Sequence, residues 1–241
     1  MSVFIVESKP KSHVSEAYRT LRTNIQFSTF DNEIKSILIT SAGPSEGKST
    51  TAGNLAFAMA QIGKKVILLD CDLRKPSIHK KFSISNKNGL SDYLIGEVNF
   101  EDTVVKYSDN LHVIPCGTIP PNPAEMISSN KLKNFIQECK ELYDCVILDT
   151  PPVIAVTDAQ IIASEVDGVL LVVAAEQTDK SAMLKAKELL EDSKANIIGS
   201  VLTKVKIKSS YGYGKAYYYA EENRCNKKSK IKKKGYVLKE C

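Results

Sequence analysis

The stretch Ser41-Ala42-Gly43-Pro44-Ser45-Glu46-Gly47-Lys48-Ser49-Thr50 has the residue types and spacing to hold phosphate. Successive backbone N–H groups in such a loop form an anion-binding nest, and a helix starting at its end adds partial positive charge. Lys48 can reach the outer phosphates, and the Ser49 hydroxyl can ligate Mg²⁺. Gly43, Pro44, Ser45, Glu46, Gly47, Lys48, Ser49 and Thr50 are therefore the candidate seat of a nucleoside triphosphate. The first glycine of the usual G-x-x-x-x-G-K-[ST] pattern would fall at Ala42, and Gly43 stands one place late. An ordinary Gly/Ser turn is the plainer reading. It is disfavoured because the apolar run Ile37-Leu38-Ile39-Thr40 precedes the loop and a helix-prone run follows it.

Three acids end apolar, strand-like runs. Asp70 and Asp72 follow Val66-Ile67-Leu68-Leu69, and Asp149 follows Cys145-Val146-Ile147-Leu148. A strand-terminal aspartate near a phosphate loop holds Mg²⁺ directly or through water. One acid suffices for the metal, so the Asp70/Asp72 pair, bracketing Cys71, suits transfer to a side-chain hydroxyl that a carboxylate orients or deprotonates. Both could instead merely cap the following turn.

The elements that must position these groups read as repeated βα units. Strands are expected at 37–40, 66–69, 111–115, 145–148, 168–174 and 197–202. Helices are expected from the phosphate loop to about Ile62, then at 90–95, 129–142, 158–164 and 180–192. Short, fully apolar strands argue for a mainly parallel, doubly wound α/β sheet covered on both faces. Open α/β sheets bind ligands at the carboxyl edge, where all three acids are expected to lie. The segment from Ser77 to Asn110 reads as polar, with the one short helix at Leu90–Ile95. Upstream, residues 15–25 look helical with Ser15 as N-cap. Glu16, Arg19 and Arg22 line one side of that helix, as a solvated face or as an edge for a neighbouring subunit.

With 43% hydrophobic and 25% charged residues, the 241-residue chain has the composition of a soluble domain, and it contains no run long enough to span a membrane. Six scattered cysteines without a C-x-x-C pair suggest free thiols rather than disulfides or zinc, and the three histidines stand apart. From Lys204 onward there are twelve Lys/Arg against three acids, so the net charge of +5 belongs to the tail. Tyr211, Tyr213, Tyr217, Tyr218 and Tyr219 cluster there, ahead of the lysine run at 227–234. Low apolar content predicts a flexible tail. Stacking tyrosines beside lysines would also suit single-stranded nucleic acid, a partner that the nucleotide site makes the poorer expectation. A lysine run of this kind can bind anionic lipid.

Taken together, Ala42–Thr50, Ile67–Pro76 and Val146–Pro152 resemble the Walker A, A′ and B motifs of the bacterial tyrosine kinases. The likeness is nearest to the cytoplasmic kinases of capsule and exopolysaccharide synthesis, the CpsD/CapB type. Glu16-x-x-Arg19-x-x-Arg22 is similar to that family's E-x-x-R-x-x-R motif, associated with ring-shaped homo-oligomers, and the tyrosine cluster is similar to its autophosphorylated tail. The resemblance implies a P-loop fold and a protein-tyrosine kinase that uses ATP and Mg²⁺ to phosphorylate the tail, chiefly on a neighbouring subunit. It implies that Lys48 holds the phosphates, that Ser49, Asp72 and Asp149 serve Mg²⁺, and that Asp70 and Asp72 share the acceptor and metal roles. It further implies a separate membrane-embedded activator of the polysaccharide co-polymerase type, a tyrosine phosphatase, and a cytoplasmic chain recruited to the inner face of the membrane. Expected parts are an N-terminal helical extension (1–33), the P-loop kinase domain (34–203) and the Tyr/Lys-rich tail (204–241).

The alternative is a nucleotide-switched, partner-binding ATPase of the MinD/ParA type. That type carries a signature lysine where this chain has Gly43. Relatives also often read adenine with an asparagine at the place of Thr203, which leaves the base contacts unassigned.

Overall fold

The structure, a computed structural model of the chain, describes residues 3–27 and 33–206. The N-terminal elements are α1 (Ile5–Ser8) and α2 (His13–Phe27). There follow β1 (Ser36–Ser41), α3 (Lys48–Ala60), β2 (Val66–Asp70), α4 (Ile78–Phe82), α5 (Leu90–Ile95), α6 (Phe100–Thr103), β3 (Val105–Ser108) and β4 (Leu111–Ile114). The remainder comprises α7 (Pro123–Ile127), α8 (Asn130–Leu142), β5 (Cys145–Asp149), α9 (Asp158–Ala163), β6 (Gly168–Ala174), α10 (Lys180–Asp192) and β7 (Ile197–Thr203).

Among the described residues seven strands form one sheet in the order β3-β4-β2-β5-β1-β6-β7. All pairs are parallel except β3 with β4. The chain moves from β1 past β5 to β2 through α3, and later from β5 to the other side of β1 through α9. The connections thus diverge at the centre of the sheet, and the cleft they leave opens at the carboxyl ends of β1, β2 and β5. This is a P-loop NTPase fold.

Buried on both faces, the central strands alternate between two cores. Leu38, Ile67 and Leu69 join Phe135, Ala159 and Leu190 on one side. Ile37, Ile39, Val66 and Leu68 join Phe4, Leu55 and Phe82 on the other. Each such side chain contributes about 1.5–3 kcal/mol through burial. That is why the strands can be read as unbroken apolar runs.

Several expectations need correction. Ser15 does not cap α2: the helix begins at His13, and the Ser12 hydroxyl accepts the Ser15 N–H at 3.1 Å. Ser15 is buried, and its own hydroxyl donates to the Lys9 carbonyl at 2.7 Å. The polar segment 77–110 holds α4, α6 and the antiparallel edge strand β3 besides α5. These pieces have four or five residues each, too short for a periodic signal. The phosphate-loop helix ends at Ala60, two residues early.

The N-terminal segment is seated on α3. Phe4 is fully buried beside Gly53, where an added Cβ would lie 2.0 Å from the Phe4 ring. The Val6 N–H donates to Asn54 Oδ1 at 3.0 Å, while the Asn54 amide donates to the Thr50 carbonyl at 2.8 Å. Gly53→Ala is therefore expected to destabilise the chain by about 1–3 kcal/mol through overpacking. Phe4→Leu should recover part of that loss in the double variant. A urea-unfolding double-mutant cycle reads the coupling, and strict additivity would show that the ring contact is not the cause.

Candidate active site

The phosphate loop is held closed by its own glutamate. The Glu46 Oε1 accepts the Gly43 N–H at 3.1 Å and the Thr178 hydroxyl at 2.8 Å. The Ser41 hydroxyl donates to the Gly43 carbonyl at 2.7 Å. Gly47 has φ +101°, a conformation that side chains rarely adopt, and leads directly into α3. No side chain caps the α3 N-terminus and no acid stands in its first turn, so its N–H groups keep their attraction for an anion.

The far side of the loop is clamped from β7. The Thr203 hydroxyl donates to the Glu46 carbonyl at 2.6 Å, and Lys204 Nζ donates to the Ser45 carbonyl at 2.7 Å. Thr203 thus braces the loop. The sequence carried no sign that Thr178 and Thr203 anchor Glu46, because each lies more than a hundred residues from it.

Register brings the acids together. Asp70 and Asp149 are direct partners across β2 and β5, and Asp149 is also paired with Ile39 of β1. Asp70 is fully buried. Its Oδ2 accepts the Ser77 and Ile78 N–H groups at 3.1 and 3.0 Å, and its Oδ1 accepts that of Asp72 at 3.3 Å. The capping possibility is thus realised in Asp70. Burial, and then the negative charge of Asp149, hold the Asp70 carboxyl well above the usual range. Asp72 is slightly exposed, and one of its oxygens accepts the Lys75 N–H at 2.9 Å. Its other oxygen takes no donor among the described residues.

Asp149 is completely buried, and neither carboxylate oxygen has a hydrogen-bond partner of proper geometry among the described residues. Burial pushes its pKa up to about 7 against the opposing pull of Lys48 and the nearby Ser49 hydroxyl. A buried, unpartnered carboxylate facing a second one costs several kcal/mol unless a cation neutralises it. Among the described residues no three His, Cys, Asp or Glu side chains converge as a metal cage. Mg²⁺ takes one or two protein ligands and completes its shell with phosphate and water. Ser49, Asp72 and Asp149 fit such an ion.

Two further cations border the cleft. Arg74, in the A′ stretch, pairs with the buried Asp158 through Nε and Nη2 at 2.9 and 3.1 Å, tying that loop to α9. Lys81 Nζ donates to the Thr50 hydroxyl at 3.2 Å. The structure therefore gathers Lys48, Ser49, Thr50, Asp70, Asp72 and Asp149 at one edge.

Glu16, Arg19 and Arg22 lie elsewhere, half-buried on α2 against the carboxyl end of α3. Arg22 Nη1 donates to the Ala58 carbonyl at 2.9 Å, Arg19 pairs with Glu16, and Arg19 Nη2 reaches Gln61 Oε1 at 3.4 Å. They do not form a wholly solvated face. Tyr211, Tyr213, Tyr217, Tyr218 and Tyr219, with the lysine run, lie outside the described residues. The four described cysteines (Cys71, Cys116, Cys139 and Cys145) are free and buried. No helix among the described residues is long and apolar enough to cross a membrane.

Fold and site define a P-loop nucleotide-binding protein with an extra pair of acids beside its phosphate loop. The AAA domain family model matches residues 34–197. Tyrosine-protein kinase YwqD of Bacillus subtilis (strain 168) is 46% identical over 220 residues, covering 91% of this chain and 92% of its own length. Tyrosine-protein kinase CpsD of Streptococcus agalactiae is 37% identical, covering 92% of this chain and 98% of its own. The crystal structure of the chimerical protein CapA2B2 superposes with a TM-score of 0.79 at 42% identity, over 83% of this chain and 88% of that one. The chain belongs to the family of bacterial tyrosine-protein kinases, and its enzyme class is protein-tyrosine kinase.

Proposed function

We propose that this kinase transfers phosphate from Mg²⁺-ATP to the tyrosines at 211–219, on a neighbouring copy of the chain, and thereby regulates capsule or exopolysaccharide synthesis. The observation that carries the reading is the unpartnered Asp149 carboxylate, set beside Lys48, Ser49, Asp70 and Asp72. Ser49, Asp72 and Asp149 would hold Mg²⁺, directly or through water, which would supply positive charge to offset that of the phosphates. Lys48 holds the phosphates. A carboxylate of the Asp70/Asp72 pair receives the proton of the acceptor hydroxyl as the tyrosine oxygen bonds to phosphorus and ADP leaves. Glu16, Arg19 and Arg22 contribute to self-association, with residues 1–33 as the assembling extension, 34–203 as the kinase domain and 204–241 as the acceptor tail.

A membrane-embedded activator of the polysaccharide co-polymerase type recruits the chain to the inner membrane face, and a tyrosine phosphatase resets it. The lysines at 227–234 add weak attraction for anionic lipid, about 1 kcal/mol each near the surface. Tail phosphorylation, at about −1.5 to −2 charges per tyrosine, loosens that hold.

Peptide mass spectrometry of the purified chain with Mg²⁺-ATP, with and without the cytoplasmic segment of a neighbouring membrane protein, tests the reading. Phosphate is expected on Tyr211–Tyr219, and changing all five to Phe should remove it. ATP turnover with an unmodified tail, activator present, would overturn it in favour of a nucleotide switch.

A further inference from the structure

The phosphate loop of this chain carries one lysine, and a second comes to the site from a helix that the sequence did not reveal. Lys81 lies on α4, and its ammonium meets the hydroxyl of Thr50, at the close of the loop, at 3.2 Å. It is also near enough to Asp149 to favour that carboxylate's ionised form.

The position is built into the fold. The start of α4 is fixed by the two N–H bonds that Ser77 and Ile78 make to Asp70. Its end is fixed by Phe82, 4% exposed and packed 4.5 Å from Phe4 and 5.7 Å from Phe57 between ring centroids. Ile78, fully buried, holds the same face. Lys81 itself is half-buried, whereas Lys80 beside it is exposed. A cation whose helix is anchored at both ends, and which is aimed at a phosphate-loop hydroxyl, has little freedom to lose when an anion arrives.

We propose that Lys81 is a second phosphate-binding residue of the nucleotide site, its ammonium passing from the Thr50 hydroxyl to an oxygen of the bound phosphate chain. It thereby supplies from α4 a positive charge that the loop lacks at Gly43. This inference rests on the nucleotide reading above.

Titration of ADP and ATP with Mg²⁺ into the full chain tests it, comparing wild type with Lys81→Met, Lys81→Arg and Lys80→Met. Loss of a charge-assisted hydrogen bond predicts about tenfold weaker nucleotide binding for Lys81→Met. Lys81→Arg should recover most of that affinity, and Lys80→Met should change nothing. A lowered thermal midpoint with unchanged nucleotide affinity would make Lys81 a mere brace for Thr50 and overturn the inference. Should Lys81→Met fail to fold, Lys81→Gln carries the same expectation. A wild-type chain that binds no nucleotide overturns the parent reading itself, whereas wild-type binding matched by Lys81→Met overturns this inference alone.

Discussion

A chain carrying Lys48→Met will fold normally and yet form no measurable phosphotyrosine on its own. Lys48 is only 9% exposed, and methionine can occupy the space of its aliphatic stem. What is lost is a preorganised positive charge at the phosphates. Removing one such charge or donor from an active site costs about 10²–10³-fold in rate or more. The time course of tail phosphorylation, followed by intact mass, reads the loss, and an unchanged thermal midpoint separates it from misfolding. Mixing gives a second result. Lys48→Met with its tail intact, incubated with an active chain whose five tail tyrosines are Phe, should become phosphorylated if transfer runs between neighbours. A tail that stays unmodified in that mixture would confine transfer to one chain.

Asp149→Asn should separate stability from activity in opposite directions. Its carboxyl titrates at about 7 in the folded chain and at about 3.9 in the unfolded one. Between those values the folded state binds more protons, so the nucleotide-free chain loses stability as pH rises from about 4, and above about 7 the penalty is complete. The amide removes the charge and can donate to Asp70. At pH 8 the variant is expected to be about 1–3 kcal/mol more stable than wild type, with a flatter pH dependence, while phosphotransfer is lost. Urea unfolding at pH 5 and pH 8, paired with the mass-spectrometric assay, measures both. A variant less stable than wild type at pH 8, with the same slope, would mean that Asp149 has a favourable partner and is not awaiting a cation.

How much was legible beforehand follows from the range of each interaction. The strands at 66–70, 145–149 and 168–174 are buried on both faces, so each had to be an unbroken apolar run and was visible as one. Helix α10 was legible to the residue because its apolar stripe runs through thirteen residues. Gly47 was legible because its positive φ calls for glycine, and Asp70 and Asp149 because each closes an unbroken apolar strand. Short helices such as α4 and α6 were invisible, having too few residues for a period.

Tertiary structure decided the rest. That Glu46 locks the loop through Thr178, that Thr203 braces it, and that Arg74 binds Asp158 are facts of pairs 84 to 157 residues apart, which no local pattern encodes. Likewise the sequence placed Asp70 and Asp72 on either side of Cys71 and left open which of them serves the acceptor. Only folding gave Asp70 three backbone donors and complete burial while leaving Asp72 an open oxygen, because α4 begins where Asp70 points. The chain alone therefore determined which chemistry is available, through residue types that local backbone geometry demands. The fold determined which of those groups are neutralised by protein and which await a ligand, because desolvation and partners depend on neighbours that only the packed sheet brings into reach.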